Sequence, residues 1–190
     1  MDVIGAFAGL ILITPFFPMI AAAIKIDSRG PVIIKLSRVS EGKEIGVYKF
    51  RSMVKDAHKI KANLLELNER DGCFFKMRHD PRVTKVGRAL RRFRLDEIPQ
   101  LVNVLTGELA LVGPRPHEPE EVAQYPEEYK SLLLARAGVT GLSQVSGASS
   151  LPFLEELRLD KHYTLNISPL RDFKILGKTV AIFLFDPTAV

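Results

Sequence analysis

The N-terminal sequence reads VIGAFAGLILITPFFPMIAAAI over residues 3–24 and carries no charged side chain. As one continuous helix it would be about 33 Å long, close to the thickness of a bilayer's hydrocarbon core. Nothing basic precedes it, so it does not resemble a cleaved signal peptide. A buried core helix is the weaker interpretation, because every face of the helix would be apolar. The segment therefore predicts insertion into a membrane.

Two prolines interrupt this segment near its middle. Pro15 cannot donate to the helical ladder and its ring clashes with the carbonyl four residues earlier, and Pro18 repeats the fault. A helix broken at Thr14 and Pro15 can enter a membrane, bend and leave on the same side, with the Thr14 hydroxyl bonding a freed carbonyl. Charge balance leaves a re-entrant helix and a complete span both open, but it places the basic remainder of the chain in the cytoplasm.

The composition becomes globular after residue 26. Turn residues and alternating apolar residues predict a β-hairpin over 31–51, and a short strand is predicted over 109–112. The spacing of apolar residues predicts helices over 53–69, 83–93 and 97–105, the start of one in 117–129, and an amphipathic helix over 171–185. We therefore expect an α+β fold: a re-entrant (broken) membrane helix over 1–26, and a cytoplasmic domain over 27–190 with a small antiparallel hairpin sheet and several short amphipathic helices at the membrane surface.

Length, charge and cysteine content exclude several classes of protein. The 190 residues suit a single compact domain, which excludes a two-domain nucleotide-sugar glycosyltransferase and a many-helix membrane enzyme. The 27 Lys and Arg exceed the 22 Asp and Glu, and this surplus suits an anionic partner: nucleic acid, an acidic lipid surface or a phosphorylated substrate. One cysteine excludes an internal disulfide and a Cys-rich zinc site.

The most basic segment also holds two adjacent acids. Residues 76–97 contain eight Lys and Arg against three acids, two of which are Asp96 and Glu97 in the run LDEIP. Asp is a preferred N-cap and Pro is tolerated in the first turn, so we expect Asp96 at the N-terminus of a helix. The helix dipole and the neighbouring arginines would favour the ionised carboxylates. A plain capping role would predict the same residue.

A carboxylate that stays ionised among arginines has two plausible chemical uses. It can hold Mg²⁺, which commonly bridges a protein carboxylate to substrate phosphates, or it can attack phosphorus as a nucleophile. Successive helical residues point about 100° apart, so two neighbouring acids can divide these tasks. A glycosidase is a poor alternative, because its two acids lie on opposite sides of the bound sugar.

Six motifs together resemble a known family. RLDEIPQL over 94–101 and LVGPRP over 111–116 are similar to motifs of the bacterial sugar transferases, the monotopic polyprenol-phosphate phosphoglycosyl transferases. Four more agree in order and spacing: YKFRSM over 48–53, DPRVT over 80–84, GVTGL over 138–142 and DFKIL over 172–176. The resemblance covers essentially the whole chain, including a membrane segment with a Ser/Thr-Pro break where Thr14 and Pro15 stand.

This resemblance implies an enzyme that starts glycoconjugate assembly as a monotopic protein on the cytoplasmic face of the bacterial inner membrane. It would transfer a sugar-1-phosphate from a UDP-sugar to polyprenol (undecaprenyl) phosphate, with the phospholipid membrane as a partner and no nucleic acid. Asp96 would form a covalent aspartyl sugar-phosphate, and Glu97 would bind Mg²⁺. The other implied site residues are Arg91 and Arg115 for the phosphates, with Lys49, Arg51 and Gln144 as candidate substrate contacts.

Some positions leave the substrate and the activity open. DGCFFK over 71–76 resembles the hexose-1-phosphate branch, so glucose or galactose leads and an N-acetylhexosamine is the alternative. Ser143 stands where the family commonly has an aromatic residue, and Ala148 where it has an arginine. Many members carry further transmembrane helices upstream.

Two rival functions fit the sequence less well. A membrane-tethered basic binding module without catalysis does not explain two acids inside the most basic segment. A metal-dependent glycosyltransferase would need an Asp-x-Asp motif, and none of the nine aspartates forms one.

Overall fold

The computed structural model describes residues 1–147 and 150–185. The α-helices are α1 (Asp2–Ile13), α2 (Phe17–Asp27), α3 (Ala57–Lys61), α4 (Lys85–Arg92), α5 (Gln100–Leu105), α6 (Pro119–Val122), α7 (Leu142–Val145), α8 (Phe153–Thr164) and α9 (Pro169–Phe185). The strands are β1 (Ile33–Ser40), β2 (Lys43–Phe50), β3 (Ala110–Val112) and β4 (Gly138–Thr140). Short 3₁₀ turns cover Thr14–Phe16, Ala62–Leu67, Leu95–Glu97 and Glu127–Leu134. The expected α+β class is confirmed.

The N-terminal helix is interrupted where the prolines predict. A 3₁₀ turn at Thr14–Phe16 joins α1 to α2, and the Thr14 hydroxyl donates to the Leu10 carbonyl at 2.7 Å. Within the described residues, Asp2–Asp27 is the one helical segment long and apolar enough to cross a membrane, with a mean hydropathy of 2.2. Only 11% of this segment's most apolar window is buried, which argues against a core helix.

Both halves of this helix pack against the rest of the protein. Ala6 of α1 is fully buried in the apolar cluster that contains Val104 and Leu111. Ile24 of α2 is buried in a second cluster with Phe50. The outer face is different, because most of its large apolar side chains are exposed: Val3, Ile4, Phe7, Ile11, Leu12, Phe16 and Met19.

The predicted hairpin is present, and the structure contains a second sheet that the sequence did not predict. β1 and β2 pair antiparallel from Ile33 opposite Phe50 to Ser40 opposite Lys43. Glu41 and Gly42 join them, both with positive φ as a two-residue type I′ turn requires. β3 and β4 form a separate parallel pair, with Val112 opposite Thr140. The sequence predicted β3 alone, because a three-residue strand such as β4 is too short to show alternation.

The predicted helices exist but several bounds were wrong. The helix expected over 53–69 is reduced to α3 and the 3₁₀ turn after it, and the helix expected over 97–105 begins at Gln100. The acidic stretch starts α6, where Glu118 and Glu121 form a capping box. The tail helix is α9, with exposed apolar side chains that include Phe173 and Leu184.

Candidate active site

Asp96 and Glu97 lie in a 3₁₀ turn between α4 and α5. The chain leaves α4 through Arg94, whose φ of 49° lies in the left-handed region, and then makes the turn Leu95–Glu97. Pro99 is the N-cap of α5. The prediction that Asp96 caps a helix is therefore wrong, because the left-handed residue reverses the chain before α5 begins. The turn directs Asp96 inward, where it is 7% exposed.

A cavity of about 640 Å³ opens beside this turn, a size typical of small-molecule sites. Twelve Lys and Arg line it against six Asp and Glu. The cavity brings together the predicted site residues of the globular part: Lys49, Arg51, Arg91, Asp96, Glu97, Arg115 and Gln144. They come from the end of β2 and the residue after it, α4, the 3₁₀ turn, the loop after β3 and α7. Thr14 and Pro15 do not line the cavity and lie in the 3₁₀ turn between α1 and α2.

The pKa values of the two neighbouring acids are shifted in opposite directions. Lys49 Nζ lies 2.7 Å from Glu97 Oε1. Burial raises the pKa of Glu97, but the charges of Lys49 and Arg115 outweigh it and hold that pKa at about 2. At Asp96 burial prevails: it raises the pKa above its ordinary value, against Lys49 and Arg91, while the charge of Glu97 raises it further. The expectation that the surrounding charges keep both pKa values low holds for Glu97 and is wrong for Asp96.

Arg91 is positioned by close packing of α4 on the hairpin end. The Thr84 hydroxyl caps α4 by accepting from the Gly87 N–H at 2.9 Å. A side chain at Gly87 would place a Cβ 1.9 Å from the Ser52 carbonyl oxygen, so only glycine allows this approach. Because α4 lies this close to Ser52, Arg91 Nε donates to Ser52 Oγ at 2.9 Å. The guanidinium is thereby fixed at the cavity wall.

Arg115 lies in the loop that follows β3. The Gly113 N–H donates to the Thr140 carbonyl at 2.9 Å, and the Gly138 N–H donates to the Pro114 carbonyl at 2.8 Å. The Arg115 N–H donates to Asp160 Oδ2 at 3.0 Å. The GPRP and GVTG motifs therefore hold one another by backbone hydrogen bonds.

Two predicted substrate contacts have partners within the protein. The Arg51 guanidinium donates to the Pro31 carbonyl at 2.6 Å and to the Ser28 carbonyl at 2.8 Å, which ties the end of α2 to β2. Gln144 Nε2 donates to the Val139 carbonyl at 3.0 Å. Its Oε1 is buried, and no described residue donates to it. Substrate contacts by Arg51 and Gln144 remain predictions. Ala148 lies outside the described residues.

Sequence reasoning missed three residues around the cavity. Arg94 lines it and has a buried Nη2 that no described residue accepts from. Its charge also helps to lower the pKa of Glu97. In the sequence Arg94 is one of eight Lys and Arg in the basic segment 76–97, and only its left-handed backbone distinguishes it. Glu156 and Asp160 of α8 are almost fully buried behind Arg115. Nothing in the sequence marks them, because their burial depends on tertiary packing.

The described residues contain no cluster of three or more His, Cys, Asp or Glu side chains that could hold a metal ion. Of the six acids that line the cavity, Asp96 and Glu97 are the pair that is adjacent in the chain, so their carboxylate oxygens can act together. Mg²⁺ often takes only one or two protein carboxylates and completes its shell with substrate phosphates and water. The donor set therefore fits an ion that is shared with a phosphorylated substrate.

Comparison with known proteins gives a family match over residues 1–186, to the model described as bacterial sugar transferase. The chain is 38% identical to galactosyl transferase CpsE of Streptococcus agalactiae serotype III (strain NEM316), over 97% of this chain and 41% of that protein. It is 38% identical to the UDP-glucose:undecaprenyl-phosphate glucose-1-phosphate transferase of Escherichia coli (strain K12), over 94% and 38%. It is 34% identical to the exopolysaccharide production protein ExoY of Sinorhizobium fredii (strain NBRC 101917 / NGR234), over 94% and 81%. The chain thus spans about two fifths of the first two relatives and most of the third.

Proposed function

The chain belongs to the bacterial sugar transferase family, and we propose that it transfers a sugar-1-phosphate from a UDP-sugar to a polyprenol phosphate such as undecaprenyl phosphate. One observation carries this proposal: Asp96 and Glu97 lie side by side in a cavity that Arg91 and Arg115 also line. One arginine can donate two parallel hydrogen bonds to two oxygens of a phosphate, so these side chains suit a nucleoside diphosphate and a lipid phosphate as substrates. The names of the CpsE and Escherichia coli relatives favour a hexose over an N-acetylhexosamine.

Asp96 is the proposed nucleophile. Its carboxylate oxygen attacks the phosphorus that bears the sugar, and a P–O bond forms while the bond to the bridging oxygen breaks. UMP leaves with that electron pair. A polyprenol phosphate oxygen then attacks the same phosphorus, and the bond to Asp96 breaks. This second step regenerates the carboxylate and produces a lipid-linked sugar diphosphate.

Glu97 would hold Mg²⁺ together with phosphate oxygens of the substrate. Its low pKa keeps the carboxylate ionised at neutral pH. When bound, the ion would neutralise charge on the diphosphate. We expect EDTA to abolish UMP release and Glu97→Gln to reduce it by orders of magnitude, while full activity in EDTA would contradict the assignment.

The cavity cations would neutralise the remaining phosphate charge. Arg91 and Arg115 are the proposed phosphate-binding residues, and Arg94 joins them because its buried Nη2 lacks an acceptor among the described residues. The amide of Gln144 is oriented by its bond to a carbonyl, which leaves Oε1 as an acceptor for a substrate hydroxyl. The main role of Lys49 would be to lower the pKa values of Asp96 and Glu97, since its ammonium already contacts Glu97.

The proposed location is the cytoplasmic face of the bacterial inner membrane, with residues 2–27 entering and leaving on one side. Three observations support it: the helix is interrupted at Thr14–Phe16, both halves pack against the same globular part, and the outer face is apolar. A polyprenol phosphate is itself confined to the membrane, so an enzyme that uses it must reach the bilayer surface.

The test is UMP release from a panel of UDP-sugars by the full chain in nanodiscs, with and without undecaprenyl phosphate. We expect sustained UMP release and a lipid-linked product from a UDP-hexose only when the lipid is present, and neither from Asp96→Asn. Asp56→Asn is the matched control, because Asp56 lines the same cavity and its φ of 60° is one that asparagine tolerates. A binding module without catalysis would release no UMP from any donor, and that result would overturn the proposal.

A further inference from the structure

A second pair of carboxylates lies behind the cavity, on one face of α8. Glu156 is fully buried and Asp160 is 2% exposed, and the two are one helical turn apart. The chemistry proposed above uses neither. Burying a carboxylate is costly unless it is paired or hydrogen-bonded, so the partners of these two groups indicate what they are for.

Both carboxylates are directed at Arg115. Asp160 Oδ2 accepts from the Arg115 backbone N–H at 3.0 Å. Glu156 Oε1 lies 4.0 Å from Arg115 Nε, and His117 Nε2 lies 3.3 Å from the same oxygen. The other oxygen, Oε2, forms an ion pair with Arg70. The Arg70 ion pair therefore fixes Glu156, and His117 lies beside its other oxygen. Asp160 holds the backbone of Arg115, while the charge of Glu156 attracts its side chain.

Arg115 lies between two attracting acids. Glu156 and then Glu97 are the main charges that raise its pKa, against the effect of burial. The Arg115 side chain is 34% exposed and lines the cavity, so its guanidinium can move towards either acid. If Glu156 lost its charge, Glu97 would become the strongest remaining attraction. An ion pair between Arg115 and Glu97 would then occupy both the phosphate-binding group and the carboxylate proposed for Mg²⁺.

We propose that Glu156 and Asp160 are positioning residues, which hold Arg115 at the cavity wall for a substrate phosphate and away from Glu97. The inference rests on the proposed function in one respect, that Arg115 binds a phosphate of the sugar nucleotide. It adds a role for α8, which contributes no group to the reaction itself.

A double-mutant cycle tests this role. The four proteins are wild type, Glu156→Gln, Arg115→Ala and the double variant, and each is measured for UDP affinity and for kcat/KM of UMP release. We expect Glu156→Gln to lower both by about tenfold in the wild-type background, because the Arg115 guanidinium loses the nearest buried negative charge. In the Arg115→Ala background it should have no further effect. A general packing role would give the same loss in both backgrounds and would overturn the proposal.

Substitutions at Asp160 provide a second test, which does not require the Glu156→Gln variant to fold. Asp160→Asn keeps an oxygen that can accept the Arg115 N–H, so it should behave like wild type. Asp160→Ala removes the acceptor and should weaken UDP binding several-fold. Equal effects of the two substitutions would contradict the proposal.

The matched control is Glu155→Gln, at the residue that precedes Glu156 in the same helix. Its carboxylate pairs with Arg158 instead of facing the cavity, so this variant should match wild type. UDP affinity can be measured without turnover, so the positioning role of Glu156 can be tested separately from the proposed transferase activity. A protein that shows the expected coupling in UDP affinity but never releases UMP supports the positioning role and contradicts the proposed function. Turnover without coupling contradicts the positioning role alone.

Discussion

Asp96 and Glu97 are adjacent in the chain yet have opposite electrostatic surroundings. Lys49 contacts Glu97 and keeps it ionised, whereas burial prevails at Asp96 and raises its pKa. Neighbouring carboxyl groups with separated pKa values are the arrangement that lets enzymes give two acids different tasks. If Asp96 is the nucleophile, it must be ionised to attack phosphorus, so UMP release should decline in acid at a pH above the ordinary aspartate range.

Lys49→Met tests this account. Lys49 lowers the pKa of both acids, so removing its charge lets both rise. Fewer Asp96 carboxylates are then ionised at a given acidic pH, and the acid limb of the pH–rate profile should move upward by about one pH unit or more. Lys35→Met is the control, since Lys35 also lines the cavity but lies over the Tyr48 ring. An unmoved acid limb, with the same loss of rate at every pH, would instead assign Lys49 a substrate contact.

At the scale of elements, the membrane helix is joined directly to the helix that carries Arg91. Asp27, the last residue of α2, accepts from the Val86 N–H of α4 at 2.8 Å through Oδ2. Thr84 caps the same helix end. The position of α2 therefore helps to set the position of Arg91.

Asp27→Ala should weaken this junction. Loss of a helix cap costs about 1 kcal/mol, so the melting temperature should fall by a few degrees. UMP release should fall several-fold as α4 loosens. Asp27→Asn retains an acceptor oxygen and should restore most of both properties. If Ala and Asn variants are indistinguishable from wild type, the membrane helix and α4 are not coupled through this bond.

The sequence predicted elements whose cause is local. Proline chemistry placed the break at Thr14 and Pro15, and turn chemistry placed the β1–β2 hairpin. It failed where the cause is tertiary: the three-residue strand β4 exists only because β3 lies beside it. The sequence pattern predicts an N-cap at Asp96, because a 3₁₀ turn before a proline has the same residue pattern. The site residues came mostly from the family resemblance, which carries no signal for the buried acids of α8.

At the scale of the whole molecule, the described residues present two contrasting surfaces, an apolar one on the N-terminal and C-terminal helices and a basic cavity. Many of the exposed large apolar side chains lie on α1 and α9, whereas twelve Lys and Arg line the cavity beside Asp96. Since both halves of the N-terminal helix pack against the globular part, we expect the helix to dip into the membrane and return.

Cysteine labelling in intact cells tests this topology. In a background in which Cys73, the single cysteine, is changed to Ser, a cysteine added before Met1 should react only after the inner membrane is permeabilised. Replacing Pro15 and Pro18 together by Ala straightens the helix and should expose the added cysteine to the periplasm. Pro126→Ala, outside the membrane segment, is the control. Periplasmic labelling of the chain with its prolines intact would show a complete span.

The most direct test of the covalent mechanism is intact mass spectrometry of the purified chain after incubation with its UDP-sugar alone. If Asp96 is the nucleophile, wild type gains the mass of one sugar phosphate and releases one UMP per active site before any lipid is present. Asp96→Asn should remain folded and gain no mass. Polyprenol phosphate should then return the wild-type protein to its original mass. A folded Asp96→Asn protein that turns over normally, or a wild type that releases UMP only when both substrates are present, would contradict the mechanism.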